Sequence, residues 1–162
     1  SPKTPLLVME AFLNSKVSDY YYLKVGGYGP LWDDIIDYVK KKHATNKIKL
    51  LGLMNSSQIA AEMQRCKAFL HPSDYETFSV VCAEAVSCGA YVIAPNLGGI
   101  PEVICNNGHL INSNTLDSWI KDIDTIPSSF VSSYDFRFSP KTIGKKYSSV
   151  LENLFKDYAN IN

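Results

Sequence analysis

What most constrains this chain is an alternation between two hydrophobic periods. Short apolar runs recur along it: YYYLKV at 20–25, IKLLG at 48–52, AFLH at 68–71, YVIA at 91–94 and HLI at 109–111. Between them apolar residues return every three or four positions, the period of a helix lying on a core. Residues 4–16 carry Leu6, Met9 and Leu13 on one stripe. From about 31 to 43 the stripe is Trp32, Ile35, Ile36 and Val39. Asp33 and Asp34 stand in its first turn and Lys40, Lys41 and Lys42 in its last, which suits the helix dipole. Asn55 and Gln58 have the spacing of a capping box, opening a helix over 56–66. A helix over 79–88 stops at Gly89, and Pro101 starts a short one that reaches Cys105. Asn114 and Asp117 frame the start of a helix through Ile123. Residues 125–138, rich in serine, read as a surface connection. Ser139 and Pro140 then open a last helix to about Tyr158, with Ile143, Tyr147, Val150, Leu154 and Tyr158 on one face.

Strands that alternate with helices require a parallel sheet covered on both faces, so the expected class is a doubly wound α/β domain. Ligands of such domains sit beyond the carboxyl ends of the strands. The loops that matter are therefore 26–30, 52–55, 72–78 and 95–99. One feature is out of pattern. A doubly wound unit normally begins with its central strand, whereas this chain begins with a helix. The first central strand is expected to be missing, leaving two unpaired edges in mid-sheet.

Composition narrows the function classes. The 162 residues are 46% hydrophobic and 20% charged, enough for one compact domain. Lys and Arg number 16 and so do Asp and Glu. A net charge of zero argues against a nucleic-acid partner. No apolar run approaches the ~20 residues that span a bilayer, and no signal peptide is visible. The chain does not start with Met, so it is expected to be a piece of a longer protein. Cys66, Cys82, Cys88 and Cys105 form no C-x-x-C pair, and His43, His71 and His109 are scattered. Free thiols in a reducing compartment, with no metal site, are the expectation.

The densest chemistry lies at 71–102, HPSDYETFSVVCAEAVSCGAYVIAPNLGGIPE. Glu76 falls in the loop after the 68–71 run and Glu84 inside the following helix. Between them Thr77, Phe78 and Ser79 form the helix start, where free backbone N–H groups and the dipole suit an anion. A carboxylate further along the helix can accept hydrogen bonds from two ribose hydroxyls, worth about 1.5–3 kcal/mol each. On spacing alone, the plainer reading is two solvated glutamates near a helix start. His71, at a strand end beside Pro72, can reach a ligand, but reads more simply as a hydrogen-bonded structural histidine. GGYGP at 26–30 lacks the spacing of a dinucleotide fingerprint and reads as a tight turn. Tyr20, Tyr21 and Tyr22 read as strand residues on alternating faces.

The run P-S-x-x-E-x-F-x-x-x-x-x-E-A-x-x-x-G-x-x-V-I-A-x-x-x-G-G-I-P-E resembles the C-terminal half of GT-B glycosyltransferases, specifically the retaining family 4 with its E-x7-E motif. KTPLLVMEAF (3–12), VGGYGP (25–30), KLLGLM (49–54) and FSPKTIGKKYSSVLENLF (138–155) resemble further family segments, in order. The resemblance implies the donor-binding domain of an enzyme that moves a hexose from a nucleotide diphosphate sugar to a glycan or lipid-linked acceptor. It implies that Glu84 holds the ribose and that Glu76, the catalytic candidate, contacts the donor sugar. Backbone N–H groups of Phe78, Ser79 and Val80 would face the phosphate or sugar. Lys3 would pair with the diphosphate, Leu53 and Met54 would border the base, and Gly98 and Gly99 would let the chain pass close to the sugar pocket. The donor would be a UDP-, GDP- or ADP-sugar, with no cofactor or tightly bound metal. A cytoplasmic enzyme is implied, at the inner face of the membrane if the residue 40–42 lysines touch anionic lipid.

The chain departs from that pattern in three ways. Ser79 replaces the usual glycine and narrows the space above the helix start. The family's diphosphate arginine and its strand would precede Ser1. The N-terminal acceptor domain would also lie outside this chain, so the isolated domain is expected to be inactive. Two alternatives stay open: a GT-B-fold nucleotide-sugar epimerase, and a non-catalytic nucleotide-sugar-binding module.

Overall fold

The computed structural model describes residues 4–130 and 140–161. The order is α1 (Thr4–Asn14), a 3-10 turn (Lys16–Asp19), β1 (Leu23–Gly26), α2 (Trp32–Lys41), β2 (Ile48–Gly52), α3 (Ser56–Arg65) and β3 (Ala68–Leu70). It continues with α4 (Val80–Ser87), β4 (Tyr91–Pro95), α5 (Ile100–Ile104), β5 (Gly108–Ile111), α6 (Leu116–Ile123) and α7 (Pro140–Ile161). Every ladder is parallel: β1 pairs with β2, and β3–β4–β5 form a second group.

Helices cover both faces, and β4 shows why. Ile93 belongs to one core with Leu7, Val8 and Phe12 of α1, Ile35 and Val39 of α2, and Trp119 and Ile123 of α6. Its neighbours Val92 and Ala94 belong to a second core with Met63 of α3, Cys82 and Ala85 of α4, and Ile100 and Val103 of α5. Successive strand residues point to opposite faces, so a strand apolar at consecutive positions must be covered twice. Each fully buried Leu, Ile, Val or Phe in these layers contributes about 1.5–3 kcal/mol.

The two groups of strands share no ladder. β1 and β3 each pair on one side only among the described residues, so each presents an open edge, which is what a doubly wound order lacking its first strand would leave. What joins the groups is the α1, α2 and α6 layer. Its core takes Ile48 from β2 and both Ile93 and Ile111 from the other group. β3 accordingly stays half-buried along its length, whereas β4 is buried from Val92 onward.

Four local expectations change. The 20–25 run is a strand only from Leu23, where pairing with Ile48 begins. The N–H groups of Tyr20 and Tyr21 turn back to the Val17 carbonyl instead, and all three tyrosines are exposed. α4 begins at Val80 rather than at residue 79, because Ser79 adopts a left-handed backbone, φ 67°. Thr115, not Asn114, caps α6, its side chain accepting from the Ser118 N–H. Tyr147 and Val150 of the expected α7 stripe are exposed, and that helix runs on to Ile161. By contrast the Asn55–Gln58 capping box is present in both directions, at 2.9 Å each way. Lys3, Ser139 and residues 131–138 of the expected connection lie outside the described residues.

Candidate functional site

The site is built at the carboxyl ends of β3 and β4. β3 ends at Leu70, and the next N–H, that of His71, donates to the Ile93 carbonyl at 2.9 Å. This extends the ladder by one residue and fixes where His71 leaves the sheet. Its ring lies nearly parallel to that of Phe69, with centroids 6.3 Å apart and an interplanar angle of 12°. Nε2 of His71 is 2.9 Å from Oε1 of Glu76. Both side chains are largely buried, 15% and 21% exposed. Glu76 is therefore not a solvated carboxylate, and His71 is hydrogen-bonded as expected, with a site candidate as its partner.

The loop that carries Glu76 is held from the opposite side by the loop after β4. The Gly99 N–H donates to the Thr77 carbonyl at 2.8 Å. A Cβ built on Gly98 would overlap the Glu76 carbonyl oxygen, and Gly98 has φ 52°. A Cβ on Gly99 would meet the Thr77 carbonyl oxygen at 2.7 Å and Phe78 Cα at 3.0 Å. The two glycines thus allow backbone to lie on backbone between residues 76–78 and 98–99. Their contact in the structure is with this loop.

Ser79 closes the loop and caps α4 without a side-chain hydrogen bond. The first N–H groups of α4 have no helical acceptor, so the helix offers its positive end. The Ser79 hydroxyl is sealed from solvent and makes no well-formed hydrogen bond. Its dipole acts on the Cys82 thiol, which burial nevertheless pushes up to about 11. Phe78 is partly exposed and Val80 largely so. Glu84 is exposed on α4, with no ion-pair or hydrogen-bond partner among the described residues.

Leu53 and Met54 are placed elsewhere on the same end of the sheet. They line a hollow of about 260 Å³ with Leu51, Gln58, Glu62 and Arg65. Its walls come from β2, the turn after it and α3; none comes from the 72–79 loop. The link is through α3, which packs against α4. Met54 also folds over Gly26, where a side chain would collide with its methyl group. The structure therefore brings together His71, Glu76, Thr77, Phe78, Gly98 and Gly99. It places Leu53 and Met54 in a neighbouring hollow and leaves Lys3 outside the described residues.

One contributor has no signature in the sequence. Asn114 accepts from the Trp119 indole N–H at 2.6 Å and donates to Asp74 Oδ1, also at 2.6 Å. It ties the 72–79 loop to a tryptophan that is fully buried. Its likeness to a helix cap hid this role. Among the described residues no group of three His, Cys, Asp or Glu side chains could hold a metal ion, and no helix is long and apolar enough to cross a membrane.

Residues 2–129 match the family model described as glycosyl transferases group 1. The chain belongs to that family. Among its relatives, the gpi3 subunit of the Schizosaccharomyces pombe phosphatidylinositol N-acetylglucosaminyltransferase is 38% identical over 80 residues, 49% of this chain and 18% of that protein. A solved glycosyltransferase of avilamycin A biosynthesis matches 95% of this chain and 49% of its own, with a TM-score of 0.64 and 16% identity. Anabaena HepE, solved in complex with UDP and glucose, matches 77% of this chain and 35% of its own, with a TM-score of 0.61 and 22% identity. These likenesses show the fold: parallel strands flanked by helices, as in a part of each of those two chains. The matched stretches span about a fifth of the first curated relatives and half or less of these two solved chains.

Proposed function

We propose that this chain is the donor-binding half of a retaining glycosyltransferase that moves a hexose from a nucleotide diphosphate sugar to a glycan or lipid-linked acceptor. The observation that carries the reading is the turn from β3 into α4. It joins an uncapped helix start to a carboxylate held 2.9 Å from a histidine, at the strand ends where such folds bind ligands. The positive end of α4 suits a diphosphate, and charge developing on a departing nucleotide is stabilised by the same N–H groups. Lys3, immediately before α1, adds a cation if it reaches that group. Glu84, exposed and without an ion-pair or hydrogen-bond partner among the described residues, is available to ribose hydroxyls. Glu76 offers an acceptor to the hydroxyls of the donor sugar. The hollow lined by Leu53 and Met54 sets apolar Leu51, Leu53, Met54 and Ala61 beside polar Gln58, Glu62 and Arg65, a mixture suited to flank and hydrogen-bond a base. UDP and glucose bound to the HepE neighbour support a uridine nucleotide, and the name of the gpi3 relative supports a lipid-linked acceptor.

Calorimetric titration of UDP, GDP and ADP into the chain tests this. One of the three should bind, and Glu84→Ala should weaken it about tenfold, the worth of a charge-assisted hydrogen bond to ribose. Equal affinity in wild type and variant would remove the ribose assignment. No binding of any nucleotide or sugar nucleotide would remove the reading itself.

A further inference from the structure

We propose that His71 is a positioning residue for donor-sugar recognition: it holds one oxygen of Glu76 so that the other is aimed at the sugar. This rests on the function proposed above and extends it to a residue that the motif left without such a role. The argument begins with hydrogen-bond chemistry. An ionised carboxylate has only acceptors, so the contact of 2.9 Å between Glu76 Oε1 and His71 Nε2 requires the hydrogen on Nε2. A single N–H occupies Oε1 and leaves Oε2 to accept from something else.

The histidine is itself fixed at three points. Its backbone N–H is in the ladder to Ile93, its ring lies along Phe69, and Pro72 follows it. Phe69 in turn packs against the core beneath α4 and α5. The Glu76 peptide is pinned independently, by Gly98 beneath its carbonyl and by the Gly99 bond to Thr77. Side chain and main chain of Glu76 are thus set from two different strands. A flexible glutamate loses about 1.5–2 kcal/mol of rotamer freedom when a ligand immobilises it. Here that ordering is complete before the ligand arrives, so the hydrogen bond to a sugar hydroxyl does not have to offset it.

The test separates sugar from nucleotide. Affinities for UDP, UDP-glucose, UDP-N-acetylglucosamine, GDP and GDP-mannose are measured by calorimetry on the full chain and its variants. The readout is the ratio of sugar-nucleotide to bare-nucleotide affinity. His71→Ala should lower that ratio about tenfold and leave bare-nucleotide affinity unchanged. His71→Gln, which keeps a side-chain N–H, should restore most of it. Glu84→Ala should instead weaken both ligands alike. A wild-type ratio in His71→Ala overturns the inference and leaves the proposed function standing. Absence of any nucleotide binding in wild type removes both. Nitrogen-15 spectra of the imidazole supply a second measurement that needs no variant and no ligand. They should show Nε2 protonated in the wild-type chain, and a bare Nε2 overturns the proposal whatever the variants do.

Discussion

Ser79 pays for its place in this fold with a left-handed backbone, φ 67°, and a hydroxyl that is buried without a proper partner. A left-handed residue with a Cβ costs about 1–2 kcal/mol, and an unsatisfied hydroxyl about 1–3 kcal/mol. Glycine removes both at the cost of some chain entropy. Ser79→Gly should therefore stabilise the chain by about 1 kcal/mol in urea denaturation, and a loss of stability would contradict the strain described here. Gly98→Ala is the reverse case, since its Cβ would strike the Glu76 carbonyl from a left-handed backbone. It should cost about 2–4 kcal/mol and weaken sugar-nucleotide binding as Glu76 shifts. Glu10 shows a residue-scale effect with a pH signature. Hydrogen bonds from Lys42 and Tyr38 hold its carboxyl below the ordinary value of 4.5. A depressed folded-state value stabilises fully above about pH 4.5 and is lost as pH falls through the lower value. Acid unfolding of Glu10→Gln should therefore lose part of its steepness below pH 4.5, and an unchanged acid limb would show the clamp between α1 and α2 to be inert.

Elements were legible in this sequence where their signals are local. Asn55 and Gln58 are three residues apart and need nothing else to close a capping box. Gly89, at φ 86°, ends α4 for reasons contained in one residue. The errors arose where a distant partner decides. Tyr20, Tyr21 and Tyr22 have strand-forming side chains, yet β2 reaches only to Leu23. Asn114 has a capping side chain, yet Trp119 and Asp74 claim both ends of it. Of the site, Glu76 and the two glycines were legible as a motif. The bond from His71 was not, because five residues of irregular loop give no rule for which side chains meet. Asn114 carries its own expectation. Asn114→Ala leaves the indole N–H of a fully buried tryptophan unpaired, which should cost about 1–3 kcal/mol. Asp74→Ala removes only the exposed end of the same chain of bonds and should cost less than about 1 kcal/mol. Equal losses in the two, read from chemical denaturation, would mean that the link between α6 and the 72–79 loop is not what holds it.

At the scale of the whole molecule, two groups of strands are held by a shared helical layer instead of a shared ladder. This has a consequence that backbone amides report directly. In a parallel ladder alternate residues turn their N–H and carbonyl groups to the same neighbour. Leu23 donates towards β2 and His71 towards β4. Lys24, next to Leu23, and Leu70, next to His71, therefore aim their N–H groups at the edges that have no ladder partner. β4, paired on both sides, should hold the slowest amides of the sheet, with Val92 and Ile93 foremost. Lys24 and Leu70 should exchange markedly faster than Leu23 and His71, although all four sit in or beside strands. Hydrogen exchange followed residue by residue decides the matter. Protection of Lys24 and Leu70 equal to that of their neighbours would mean that another strand lies along these edges. Dependence of that protection on protein concentration would then tell a second copy of the chain from a segment of the same one.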